Sequence, residues 1–216
     1  MQHSITSTIS GKKADPQNPA KTAVVVPTTL RASLIQAVES VYEQSLDGTI
    51  HILIGVDKPG EATDILHQLK NKLPDRHILT IVDPGYSTSV RHGGLHPARD
   101  GGTLRTVLSY HANSPYVAYL DDDNWWDPDH LGSLLSAIEN KDWAFGLRWY
   151  VHPETRKPIC VDEWESVGPG NRQIAMLALD HRLALSPVQR PSFRDKKSRS
   201  TFNSPIWRYS SSVCRS

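Results

Sequence analysis

TAVVVPT, residues 22–28, is the stretch that decides the fold. It is short, β-branched and almost wholly apolar, and Pro27 closes it. An uninterrupted apolar run of this length reads as a strand buried on both faces, the kind found inside a parallel sheet. Downstream the period changes. Leu34, Ala37, Val38 and Val41 recur at helical spacing, so 31–45 is predicted as an amphipathic helix. HILIGVD (51–57) repeats the strand pattern and stops at Lys58-Pro59-Gly60. Ile65, Leu66, Leu69 and Leu73 make 61–73 a second helix, and HILTIVD (77–83) a third strand. A short helix over 103–112, a strand YVAYLDDDN (116–124), a helix over 128–140 and a strand WAFGLRWYV (143–151) complete the series. Strands alternating with helices in this way predict an α/β fold: three layers, with a mostly parallel central sheet covered on both faces.

The flanks read differently. Residues 1–21 are rich in Ser, Thr, Lys, Gln and Pro without a period and are expected to form a disordered leader. The loop 86–102 is long enough to suggest a functional or disordered segment. The sheet-forming pattern decays after Gly170; residues 174–185 could still form one helix, and the whole of 171–216 is expected to be a basic, Ser-rich and largely disordered tail. Its last thirty residues carry seven basic side chains against Asp195 alone, so the overall charge of +1 conceals a mildly acidic body.

Several classes fall away on composition. Cys160 and Cys214 are far apart and belong to no CxxC pair, so neither a disulfide framework nor a structural zinc site is legible. His92 and His96 lie in a Gly/Pro-rich loop rather than at helical spacing, which suits a substrate loop or solvent better than zinc. GGTLR lacks the P-loop lysine. No run reaches the about 18 apolar residues of a membrane span, and the N-terminus has no apolar secretory core. The expected location is cytoplasmic, with at most peripheral membrane contact through the basic tail. Scattered aromatics in that tail make a poor stacking platform, so no nucleic-acid partner is expected.

Chemistry concentrates in LDDDNWWDPDHL (120–131). Asp127-Pro128-Asp129 is explained by the start of the next helix. Asp121, Asp122 and Asp123 precede it by several positions, at the carboxyl end of a predicted strand, where α/β sheets bind ligands. Three adjacent carboxylates are reconciled by a divalent cation, and hard oxygen donors point to Mg²⁺ or Mn²⁺ shared with phosphates.

These features together resemble the GT-A-fold glycosyltransferases of the family 2 type. The resemblance runs from about Thr22 to Val151. It rests on VVVPTT at the first strand, SVYEQS (40–45) at the end of the first helix, Asp57 after the second strand, and Arg105 placed sixteen residues before the first Asp of a D-x-D motif. It implies that Pro27 and Thr28 line a nucleotide pocket and that Asp57 contacts the base or ribose. It further implies that Arg105 holds the nucleotide or braces the aspartates, that Asp121 lies near the ribose, that Asp122, the middle residue, belongs to the nucleotide-sugar site, and that Asp123, with Asp121, ligates the cation. Residue chemistry alone leaves Asp57 equally open as a turn residue, and Arg105 as one half of a structural ion pair. Asn124 stands where many relatives have another Asp.

The function so implied is metal-assisted, inverting transfer of a sugar from a nucleoside-diphosphate sugar, UDP by default, to a glycan, lipid or small-molecule acceptor. Inversion needs a general base. KPICVDEWESVGPG (157–170) offers Asp162, Glu163 and Glu165, although a solvent-exposed acidic turn explains them as well. The Q-x-x-R-W motif of processive synthases is absent. The alternative is a catalytically inactive nucleotide-sugar binder without an acceptor half.

Overall fold

The computed structural model describes residues 5–57, 63–97, 101–146, 148–152, 155, 157–162, 207–208 and 211–215. The chain divides into two compact units, one of residues 1–146 with 209–216, the other of 147–208.

The first unit is built on a seven-stranded sheet. Its centre is four parallel strands: β2 (Thr22–Thr28), β3 (Ile50–Val56), β4 (Ile78–Val82) and β5 (Tyr116–Tyr119). They lie side by side in the order β4-β3-β2-β5. Every residue of β2, β3 and β4 is buried, as their continuous apolar runs require. Alternate side chains serve opposite faces. Val24, Val26, Ile50, Ile52 and Ile54 join one core with α1 (Ser33–Tyr42), α2 (Thr63–Asn71) and α4 (His130–Ala137). Ala23, Val25 and Leu53 face the other way, toward Leu108 of α3 (Gly102–His111). This is the expected three-layer α/β architecture. Gly55 lets α3 come close, since a Cβ there would sit 2.8 Å from Leu108 Cδ1.

The predicted helices appear with shorter bounds. The predicted strand 116–124 ends at Tyr119. Leu120 N–H still bonds Val25 O, but the chain then turns, with Asn124 N–H donating to Asp121 O. The three aspartates thus occupy a turn beyond the sheet, where their carboxylates are not forced into one ladder.

Three expectations are corrected. Residues 6–10 are not a disordered leader. They form β1 (Thr6–Ser10), antiparallel to β4 at the edge of the sheet. Its TSTIS sequence is polar and β-branched, suited to a strand with one partner and partial exposure, and a Thr8–Thr80 hydroxyl pair at 2.9 Å joins the strands. Gly11 N–H to His77 O and Ala20 N–H to Asn113 O then tie down the stretch leading to β2.

The tail is not wholly without structure either. Ser211–Arg215 forms β10, antiparallel between β5 and β6 (Trp143–Gly146). Backbone ladder bonds admit a serine-rich strand whose composition gives no apolar signal. The possible helix over 174–185 lies outside the described residues. Finally, WAFGLRWYV is two strands, because a glycine inside a strand weakens it. After Gly146 the chain enters the second unit, where β7 (Arg148–Val151) pairs antiparallel with β8 (Pro158–Asp162) and β9 (Trp207–Arg208).

Candidate active site

The strand order creates the site. From β2 the chain moves outward to β3 and β4, then returns to place β5 on the opposite side of β2. The loops leaving β2 and β5 therefore diverge, opening a crevice at the carboxyl edge, the place where open α/β sheets receive ligands. A cleft of about 360 Å³ lies there. It is lined by Pro27, Thr28, Thr29 and Arg31 after β2, Asp57 after β3, Arg91 and His92 before α3, Gly101 and Arg105 at α3, and Asp121, Asp122 and Asp123 after β5.

The triplet is held by specific partners. Asp122 is buried and accepts a 2.7 Å hydrogen bond from Thr28 Oγ1, which itself accepts from Leu30 N–H. Arg31 grips both Asp122 oxygens, through Nε at 3.3 Å to Oδ2 and through Nη2 to Oδ1. Its Nη1 reaches Asp123 Oδ2 at 3.2 Å. Arg105 pairs with Asp121 through Nη2, and its guanidinium stands 5.9 Å from the Tyr119 ring centre. Burial lifts the Asp123 carboxyl above its ordinary pKa, and the neighbouring charges of Asp121 and Asp122 add to this against the pull of Arg31. The Arg31 pKa is raised in turn by its hydrogen bond to Asp122.

Asp57 is also buried. Its Oδ1 accepts from Thr88 N–H at 2.8 Å and Thr88 Oγ1 at 2.6 Å. It therefore anchors the loop whose 3₁₀ turn, Val90–His92, brings Arg91 and His92 to the cleft. Gly101 is needed where α3 begins. Its φ is +74°, and a Cβ would lie 2.8 Å from Pro27 Cβ.

SVYEQS has a structural task beside the cleft. Gln44 Nε2 donates to Asp127 O at 2.7 Å, Gln44 Oε1 accepts from Leu131 N–H at 2.8 Å, and Ser40 Oγ accepts from Trp126 N–H at 3.1 Å. These buried bonds pin the segment that follows the triplet. Gln44→Leu should lower stability by about 1–3 kcal/mol, since it orphans buried backbone groups; chemical denaturation measures this, and an unchanged midpoint would contradict it.

All six residues expected to bind nucleotide line this one cleft, as does Asp123. Of the expected bases, Asp162 ends β8 in the second unit, and Glu163 and Glu165 lie outside the described residues. Arg31 is the residue sequence reasoning passed over. Its signal was its position, four residues after the proline that closes β2.

A divalent cation shared with phosphates needs only one or two protein carboxylates. No group of three or more His, Cys, Asp or Glu among the described residues could hold a metal ion alone. Asp123 fits the smaller requirement, because it lines the cleft and carries a charge that its surroundings disfavour. Asp121 and Asp122 are each joined more closely to an arginine than Asp123, which Arg31 reaches only through its 3.2 Å Nη1 contact.

Fold and cleft together define the class: a three-layer α/β domain with an acidic, arginine-braced crevice at its strand-order reversal. Residues 101–180, which carry α3, β5 and the triplet, match the family described as Glycosyl transferase family 2. The chain is 30% identical over 142 residues to the succinoglycan biosynthesis protein ExoW of Rhizobium meliloti (strain 1021), a match covering 62% of this chain and 41% of that protein. It thus spans about two fifths of that relative's length. Among solved structures, S. aureus TarS 1–349 aligns with a TM-score of 0.44 at 18% identity, covering 57% of this chain and 34% of that one. Mannosyltransferase PcManGT from Pyrobaculum calidifontis, in complex with GDP-Man and Mn²⁺, aligns with a TM-score of 0.42 at 22% identity, covering 58% and 34%. These matches make this part of the chain similar to family 2 glycosyltransferases.

Proposed function

We propose that the cleft binds a nucleoside-diphosphate sugar and that the domain transfers its sugar to a glycan, lipid or small-molecule acceptor. The observation that carries this reading is the convergence of Pro27, Thr28, Asp57, Arg105 and the acid triplet on one crevice at the strand-order reversal. Pro27 and Thr28 bound the nucleotide pocket. Asp57 offers a polar contact to base or ribose while fixing the loop of Arg91 and His92. Arg105 orients Asp121 toward the ribose. Asp123 would hold Mg²⁺ or Mn²⁺, which when bound stabilises charge on the departing diphosphate. Solved neighbours are in complex with GDP-Man and Mn²⁺, and with UDP-GlcNAc; UDP and GDP are accordingly the probes. Among the described residues no helix is long and apolar enough to cross a membrane, and peripheral membrane contact stays part of the proposal for a lipid acceptor. Asp162, Glu163 and Glu165 remain the proposed bases for inversion.

With Mn²⁺ present, either UDP or GDP at about 100 times its Kd should stabilise the fold by about 2.7 kcal/mol, read as a rise in melting temperature. No shift with either nucleotide at about 1 mM, a concentration well above the Kd expected for a donor site, overturns the reading. One observation favours the alternative of binding without transfer: all three triplet carboxylates are already engaged by arginine. That reading predicts the same thermal shift without hydrolysis or transfer of the donor sugar.

A further inference from the structure

Arg31 contacts two carboxylates, and it does so unequally. On Asp122 it closes a two-point grip, Nη2 on one oxygen and Nε on the other, the planar fork that guanidinium makes with carboxylate. On Asp123 it has a single 3.2 Å contact through Nη1. Burial is unequal too: the Asp122 side chain is 4% exposed, that of Asp123 33% and that of Arg31 53%. Thr28 Oγ1 gives Asp122 an additional partner. The Asp122 half of the arrangement is dry and doubly held, whereas the Asp123 half is partly exposed and held by one bond. Screening by water makes the second contact the cheaper to break.

We propose that Arg31 is a positioning residue of the donor site, holding Asp122 in place while its Nη1 arm competes with a divalent cation for Asp123. This rests on the reading of the cleft as a nucleotide-sugar site. A cation reaching Asp123 brings like charge against the guanidinium, so the Nη1 contact must yield. The Asp122 grip keeps the rest of the side chain in the cleft, and the released arm becomes a donor for phosphate oxygens. Arg31 thereby makes cation binding weaker and the geometry of the carboxylates more definite.

The test is Mn²⁺ titration of the full chain, with free ion counted by electron paramagnetic resonance. Arg31→Gln should bind Mn²⁺ about tenfold more tightly than the unaltered protein, because a competing charge is gone. Arg31→Lys, which retains charge but loses the fork, should gain about threefold. Asp123→Asn should abolish binding in every background. A merely structural role for Arg31 predicts the opposite sign, since a loosened site binds more weakly. Unchanged or weakened Mn²⁺ affinity in both Arg31 variants, with Asp123→Asn still abolishing binding, overturns this proposal and leaves the cation site standing. Absence of Mn²⁺ binding in every protein, with UDP or GDP added, overturns the reading of the cleft itself and this proposal with it. Should Arg31→Gln fail to fold by circular dichroism, Arg31→Lys decides alone.

Discussion

Acidification from pH 6.5 toward 4 should unfold this protein, with the loss beginning before ordinary carboxylates are titrated. Three histidines are responsible. His77 is fully buried, and its Nδ1 accepts from Ile50 N–H at 3.4 Å, which fixes it as a neutral ring. His51 is buried and shares a 2.9 Å hydrogen bond with Thr80 Oγ1. His130 stacks on Trp126 with ring centres 5.1 Å apart. Burial lowers each to about 4; the positive neighbours Arg76 and His111 add to this for His77 and His51 respectively. The unfolded chain takes up these protons near pH 6.5, the folded one only near 4. Their contribution is therefore fully present above pH 6.5 and is lost as the pH falls toward 4. Each depression corresponds to about 3 kcal/mol. Halved for water penetration, the three together still remove about 5 kcal/mol, the lower end of the stability of a whole domain. Melting temperature should fall steeply between pH 6.5 and 4.5, and His51→Gln combined with His77→Phe should flatten the slope. A flat profile across that interval defeats the argument.

The same physics explains what could be read from sequence. TAVVVPT and HILIGVD announced themselves because a strand buried on both faces must be apolar at every position. The helices were legible because Leu34, Ala37, Val38 and Val41 repeat on one face. β1 and β10 were not. An edge strand such as TSTIS has one partner and a wet side, so it needs backbone bonds and β-branching but little hydrophobicity. β10 enters between β5 and β6 from a serine-rich segment, and no local pattern in SSVCR names its distant partners. WAFGLRWYV read as one strand because composition does not show that its halves pair with different sheets.

The candidate site was legible in part, and for a related reason. Asp121, Asp122 and Asp123 are conspicuous because adjacent carboxylates at a strand end are costly unless something compensates them. The compensating group is a residue 91 positions away from Asp122. Arg31 at the start of an amphipathic helix reads as an ordinary solvated charge, and only the return of the chain to the other side of β2 brings it to Asp122. Asp57 was left open between turn residue and ligand contact. Its hydrogen bonds to Thr88 give it the first task, and its place in the cleft leaves room for the second.

Replacing Asp123 by Asn should separate binding from stability. The carboxyl of Asp123 is raised by burial and by its two acidic neighbours, so the folded protein holds that proton more tightly than the unfolded chain does. A raised carboxyl contributes stability only at low pH and loses it as the pH rises through its folded value. At pH 7 the ionised side chain therefore costs stability, and Asp123→Asn should raise the melting temperature of the protein without nucleotide. The gain should shrink as the pH is lowered toward the ordinary carboxyl value of 3.8. Asp122→Asn should do the reverse, because it strips charge from a buried carboxylate held by Arg31 and Thr28. Yet Asp123→Asn should weaken Mn²⁺-dependent nucleotide binding by at least about a hundredfold, since changes one shell further from a metal already cost 10- to 100-fold. Calorimetric melting at pH 7.5 and nucleotide titration on the two variants decide the matter. If Asp123→Asn melts lower than the parent, its charge is not the strained member of the triplet. If it binds nucleotide with undiminished Mn²⁺ dependence, the cation is held elsewhere. The expected pairing of a more stable fold with a lost ligand is what a charge kept for binding, at a cost to folding, must produce.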